Sequence, residues 1–69
     1  MDMSDKIKKA LNDQIALELS SSYVYQAMRA YFLDLGLKGC ATWMEKQAGE
    51  EVEHAMRIFA YMDDRRARV

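Results

Sequence analysis

Glu51-Val52-Glu53-His54 is a Glu-x-x-His string. Positions three apart share one face of a helix, so the Glu51 carboxylate and the His54 imidazole can reach a common metal ion. Carboxylate oxygen with imidazole nitrogen suits iron, manganese or zinc better than copper(I), which prefers sulfur. A third donor, Glu18, interrupts an otherwise apolar stripe in the first half of the chain. A carboxylate placed there is costly unless a cation or a metal holds it. Helical bundles that bind two metal ions take a Glu from each of two helices and a Glu-x-x-His from each of the other two. One copy of this chain offers Glu18, Glu51 and His54; two copies offer four Glu and two His, a full two-metal set. Spacing alone fits a satisfied core equally well, with Glu51 held by Arg29 or Lys46 and His54 a neutral buried histidine, because structural ion pairs use the same residue types.

The elements that must position these donors are two helices. The 69 residues contain no proline and three glycines, so both long segments can be helical throughout. The first is expected over about 4–35, with Ser4 as N-cap and Asp5 at the positive helix start. Its three-four spacing runs through Ile7, Leu11, Gln14, Glu18, Ser21, Tyr25, Met28, Phe32 and Leu35. Gly36 is the stop signal, with a turn over about 36–38. The second helix is expected over about 38–64. Its stripe is Leu37, Cys40, Met44, Gln47, Glu51, His54, Ile58 and Tyr61, and Arg65, Arg66 and Arg68 suit its negative end. So short a turn makes the pair antiparallel, which sets Glu18 level with Ala55, beside His54 and about one turn from Glu51. The first helix also carries Ile15, Leu19 and Tyr23 on a second face and Leu17, Val24 and Tyr31 on another. A helix apolar on so many sides needs more neighbours than one partner helix supplies. The fold class is therefore all-α: an antiparallel hairpin that pairs with a second copy into a four-helix bundle.

Composition narrows the rest. One cysteine, Cys40, precludes an internal disulfide, and a single core at this length supplies roughly 3–5 kcal/mol, so metal or oligomerisation is the expected support. Cys40 itself reads as a small apolar filler, and the six methionines as adaptable core filler. Ten basic against eleven acidic residues give a net charge of −1, which argues against nucleic acid as a partner. Basic residues sit at the ends rather than along one face, and apolar runs are short, so neither a membrane-surface helix nor a membrane span is expected. The start lacks the apolar run of a signal peptide, and with a reduced thiol this points to the cytoplasm.

Longer strings carry a resemblance. Leu11-Asn12-Asp13-Gln14-Ile15-Ala16-Leu17-Glu18-Leu19, Ser22-Tyr23-Val24-Tyr25, Gly36-Leu37-Lys38-Gly39 and Gln47-Ala48-Gly49-Glu50-Glu51-Val52-Glu53-His54-Ala55-Met56, with their spacing, resemble the first two helices of non-haem ferritin. The resemblance implies a di-iron centre that oxidises Fe(II) to Fe(III) with O2 for iron storage or detoxification. It implies Glu18 as the first-helix ligand, Glu51 as the carboxylate bridging both metals, His54 as the imidazole on one of them, and Tyr25 as a hydrogen-bond or electron donor beside them. Glu50 matches a position that takes an accessory iron in some ferritins, and it also reads as a solvated acid. Glu53 and Gln47 are candidates for the entry path. Mn or Zn are possible substitutes for Fe.

Two departures qualify the resemblance. Val52 stands where a haem-binding bacterioferritin has methionine, which argues against haem. The chain ends at Asp64-Arg65-Arg66-Ala67-Arg68-Val69, where a ferritin begins its crossover to a third helix. A cleaved or engineered half, the ordered part of a longer chain, and a half-ferritin that dimerises all fit this ending. The last agrees best with the donor count. The competing function is a non-catalytic helical dimerisation module or an inactive half-ferritin fragment, whose polar core residues only set register.

Overall fold

The computed structural model describes residues 3–69. The chain is all-α: α1 spans Asp5–Asp34 and α2 spans Lys38–Asp64, packed antiparallel. Ser4 starts α1, its Oγ accepting the Ile7 N–H at 3.3 Å. The reversal is made by the backbone. Gly36 takes φ +75°, a conformation that costs other residues roughly 1–2 kcal/mol. Its N–H donates to the Leu33 carbonyl at 3.0 Å and the Leu37 N–H to Phe32 at 2.9 Å, which satisfies the last carbonyls of α1. The same pattern closes α2: Arg66 takes φ 57°, Ala67 N–H donates to Met62 at 2.8 Å, and Ala67 packs in one cluster with Met62.

The seam between the helices is built from small residues seven apart. Ala41, Ala48, Ala55 and Met62 are the buried positions of α2; Ile15 and Ser22 are those of α1. Leu11, Glu18, Tyr25 and Phe32 lie half-buried alongside. A seven-residue repeat on both helices is the pattern that keeps two helices in contact along their length. At its centre Ser22 Oγ donates to the Ala48 carbonyl at 2.9 Å.

This seam corrects the stripe read from the sequence. In α2 the buried line falls beside Leu37, Cys40 and Tyr61, all of which are exposed, so Cys40 is not a core filler. In α1, Ile15 belongs to the seam rather than to a second face, while Ile7, Met28 and Leu35 are exposed. The physical reason is separation: how near two helices can come depends on the side chains between them, and alanine, weak in a hydrophobic pattern, permits the closest approach.

The resulting core is small. Ile15, Ala55, Met62 and Ala67 cluster at the end away from the turn, with Met3, Leu11 and Ile58 against them. The accessible surface is 5380 Å², whereas a folded monomer of this mass exposes about 4,450 Å². Leu17, Val24, Tyr31 and Trp43 are each more than half exposed. Among the described residues no helix is long and apolar enough to cross a membrane.

Candidate metal centre

α1 and α2 bring three donors to one place. Glu18 faces the seam from α1, one turn before Ser22. Glu51 and His54, one turn apart on α2, lie on the same flank of the buried line through Ala48 and Ala55. Glu18, Glu51 and His54 each offer a donor atom, all within 4.8 Å of one another. His54 Nδ1 lies 3.5 Å from Glu18 Oε2 and 3.8 Å from Glu51 Oε2. Two donors on one ion of this class, at bonds near 2.1 Å, can stand no more than about 4.2 Å apart. Both His–Glu separations already meet that limit. The two glutamate side chains are 16% and 20% exposed, and that of His54 is 49%, so the cluster is sheltered by the seam and open on one side.

The two carboxyls perturb each other in opposite directions. Glu18 is held below the usual carboxylate range, first by its hydrogen bond with Glu51, then by Gln14. Glu51 is raised, first by the same hydrogen bond with Glu18, then by desolvation and the Glu18 charge. The lowered Glu18 contributes stability above its unfolded value that is lost as pH falls through its folded one. The raised Glu51 contributes in the opposite direction, fully below its unfolded value and lost as pH rises through its folded one. Glu51→Gln should therefore raise the melting temperature of the metal-free protein at neutral pH, where it removes a like charge. The gain should vanish as pH falls through the raised Glu51 value. Circular-dichroism melts from mildly acid to neutral pH read both.

The remaining residues fall into place around this cluster. Tyr25, half-buried, lines a groove with Leu17, Ser20, Ser21 and Val24. Glu50 is half-buried and outside the donor cluster, but its charge adds to the upward push on Glu51. Glu53 is exposed and Gln47 half-buried. Arg29 pairs with Glu45 at 3.6 Å rather than with Glu51, and His54 is not buried, so neither part of the satisfied-core alternative is met. The sequence reading gives Gln14 no role, yet its Nε2 donates to Glu18 Oε1 at 2.9 Å. The signal is its place four residues before Glu18, a spacing at which side chains on a helix meet.

The donor geometry has close relatives. Residues 8–69 match the family model Ferritin: Ferritin-like domain. The chain is 43% identical to Ferritin-4, chloroplastic, of Arabidopsis thaliana over 68 residues, covering 96% of this chain and 26% of that one. It is 42% identical to the Bacterial non-heme ferritin of Bacteroides fragilis strain 638R over 60 residues, 87% of this chain and 38% of that one. Among solved structures, the open pore ferritin of the hyperthermophilic archaeon Archaeoglobus fulgidus superimposes with a TM-score of 0.94 at 45% identity, covering 97% of this chain and 41% of that one. A closed form of the same archaeal ferritin, made by site-directed mutagenesis, gives 0.95 at 44% identity over 99% of this chain and 42% of that one. The chain thus spans between a quarter and just over two-fifths of the length of these proteins. With a helical pair that superimposes at this level of identity and a family match over nearly its whole length, the chain belongs to the ferritin family.

Proposed function

We propose that this hairpin supplies half of a two-metal ferroxidase centre, which oxidises Fe(II) to Fe(III) with O2 for iron storage or detoxification and is completed by a second chain. The observation that carries the reading is the convergence of Glu18, Glu51 and His54 with no lysine or arginine paired to either carboxylate among the described residues. Two carboxylates in a sheltered seam with only the His54 imidazole beside them, at 3.5 and 3.8 Å, favour a bound cation.

The chain's residues have definable tasks. A bound metal would favour the ionised form of Glu51, against the Glu18 charge and the desolvation that raise it. The negative pair then favours the higher charge that iron acquires on oxidation. Glu51 would hold ferrous iron together with Glu18 and His54, with O2 as the oxidant. His54 would offer an imidazole nitrogen to one ion, and Gln14 orients Glu18. Tyr25 would serve as a hydrogen-bond or electron donor beside the metals, and Glu50 as an acid for an accessory ion. Mn(II) or Zn(II) fit the same donor set as substitutes. A reducing compartment such as the cytoplasm suits the free Cys40 thiol.

The test is to titrate anaerobic protein with Fe(II), admit air and follow ferric absorbance; no ferric product above the protein-free rate overturns the reading. A non-catalytic helical module predicts that chelator leaves thermal stability untouched. A metal site predicts otherwise: ligand at a hundred times its dissociation constant adds about 2.7 kcal/mol, or roughly 10–20 °C in a domain of this size. Melts with Zn(II) and with excess EDTA distinguish the two.

A further inference from the structure

We infer that Ser22 is a positioning residue for this centre: its buried hydrogen bond to α2 locks the axial register that sets Glu18 opposite Glu51 and His54. This rests on the metal-site reading above and assigns the residue that holds the donors level. Ser22 is the one buried polar side chain among the described residues. It stands seven residues after Ile15, at an inward position of the α1 repeat, where a hydroxyl costs free energy unless it is paired. Packing alone would take alanine there, as α2 does at Ala41, Ala48 and Ala55. The hydroxyl is paired, and across the seam: Ser22 Oγ donates to the Ala48 carbonyl at 2.9 Å. The Arg29–Glu45 pair, which also crosses between the helices, lies at the surface, where an ion pair holds a geometry weakly.

The seam needs such a lock. Alanine lets the helices approach but offers no projecting knob to interlock, so it opposes sliding weakly. Ile15 and Met62 hold the end away from the turn by apolar packing, which is non-directional. The turn at Gly36 is fourteen residues from Ser22, about 21 Å along the helix, and fixes the pairing only coarsely. A buried polar residue fixes register between paired helices at a cost in stability. This one sits one turn from the donors. Glu18 is four residues before Ser22 and Glu51 three after Ala48. The helices run antiparallel, so both steps lead the same way along the seam. The tolerance is narrow. His54 Nδ1 and Glu18 Oε2, 3.5 Å apart, are about 0.7 Å inside the limit for two donors on one ion. One residue of slip is about 1.5 Å, twice that margin.

Ser22→Ala removes the hydroxyl and keeps a small side chain in the seam. It should bind Zn(II) roughly 10–100-fold more weakly, the range for groups that orient metal ligands. The metal-free melting temperature should change little, because alanine is the better helix former and needs no partner. Leu11→Ala is the opposite case. Leu11 packs against the core cluster, two turns before Glu18, so its loss should lower the melting temperature and leave Zn(II) affinity as in the parent. Titration calorimetry below the melting points reads both affinities. Parent-like affinity in Ser22→Ala overturns the inference. So does a Leu11→Ala protein that loses as much affinity, because affinity would then follow stability rather than register. The readout is binding, not oxidation. A chain that binds Zn(II), loses it in Ser22→Ala and leaves Fe(II) unoxidised sinks the ferroxidase reading alone. An oxidising chain whose Ser22→Ala variant binds Zn(II) like the parent sinks this inference alone, and a parent chain that binds no Zn(II) sinks both.

Discussion

Glu51→Ala and His54→Ala should each reduce aerobic Fe(II) oxidation to the protein-free rate. Glu51 is raised by its neighbour Glu18 and lies 3.8 Å from His54. Truncating it leaves Glu18 and His54, 3.5 Å apart across the seam, as the only two donors of the cluster. Loss of an outer partner that merely orients a ligand costs roughly 10–100-fold in metal affinity or activity. Loss of a donor atom should exceed that. Gln14→Ala, which removes only the 2.9 Å hydrogen bond to Glu18, should fall inside that range and supplies the internal comparison. The rates are read from ferric absorbance after air is admitted, and affinity from anaerobic Fe(II) titration calorimetry. If both truncations turn over like the parent chain, the oxidation happens elsewhere.

The donors were legible in the sequence because their signal is local. Glu51 and His54 are three residues apart on one helix, and the short turn at Gly36 leaves little freedom in which part of α1 lies opposite them. Glu18 therefore follows from chain arithmetic once the turn is found, and the Gly36 φ of +75° is the conformation its residue type predicts. The seam was not legible in the same way. A stripe drawn from hydrophobicity passes through Leu37, Cys40 and Tyr61, one residue from the buried line of Ala41, Ala48, Ala55 and Met62. Alanine and serine contribute little to an apolar moment but decide how near two backbones can come. The apolar residues displaced from the seam, among them Trp43 and Val24, remain exposed. Their excess signals an unfilled neighbouring position, which periodicity reports only as a helix apolar on too many sides.

Ala48→Leu should have the largest effect on folding and should also disable the centre without touching a donor. Ala48 has no exposed surface, and its carbonyl takes the Ser22 hydroxyl at 2.9 Å, so the helices are at their closest there. Three added carbons cannot enter without moving α1 outward. Overpacking of this kind typically costs 1–3 kcal/mol, against roughly 3–5 kcal/mol available from one core in a chain of this length. At about 4–8 °C per kcal/mol in a small domain, the expected loss in melting temperature is on the order of 10–20 °C at fixed protein concentration. Ala60→Leu makes the same chemical change on an exposed face, where substitutions usually stay within about 0.5 kcal/mol. The functional consequence follows from position. Glu51 lies one turn beyond Ala48 and Glu18 one turn before Ser22, so an outward step of α1 at this layer separates the two carboxyls directly. Ala48→Leu should lower Zn(II) affinity, measured by titration below the reduced melting point. Unchanged affinity in a destabilised Ala48→Leu protein would mean that the donors are positioned by something other than the seam.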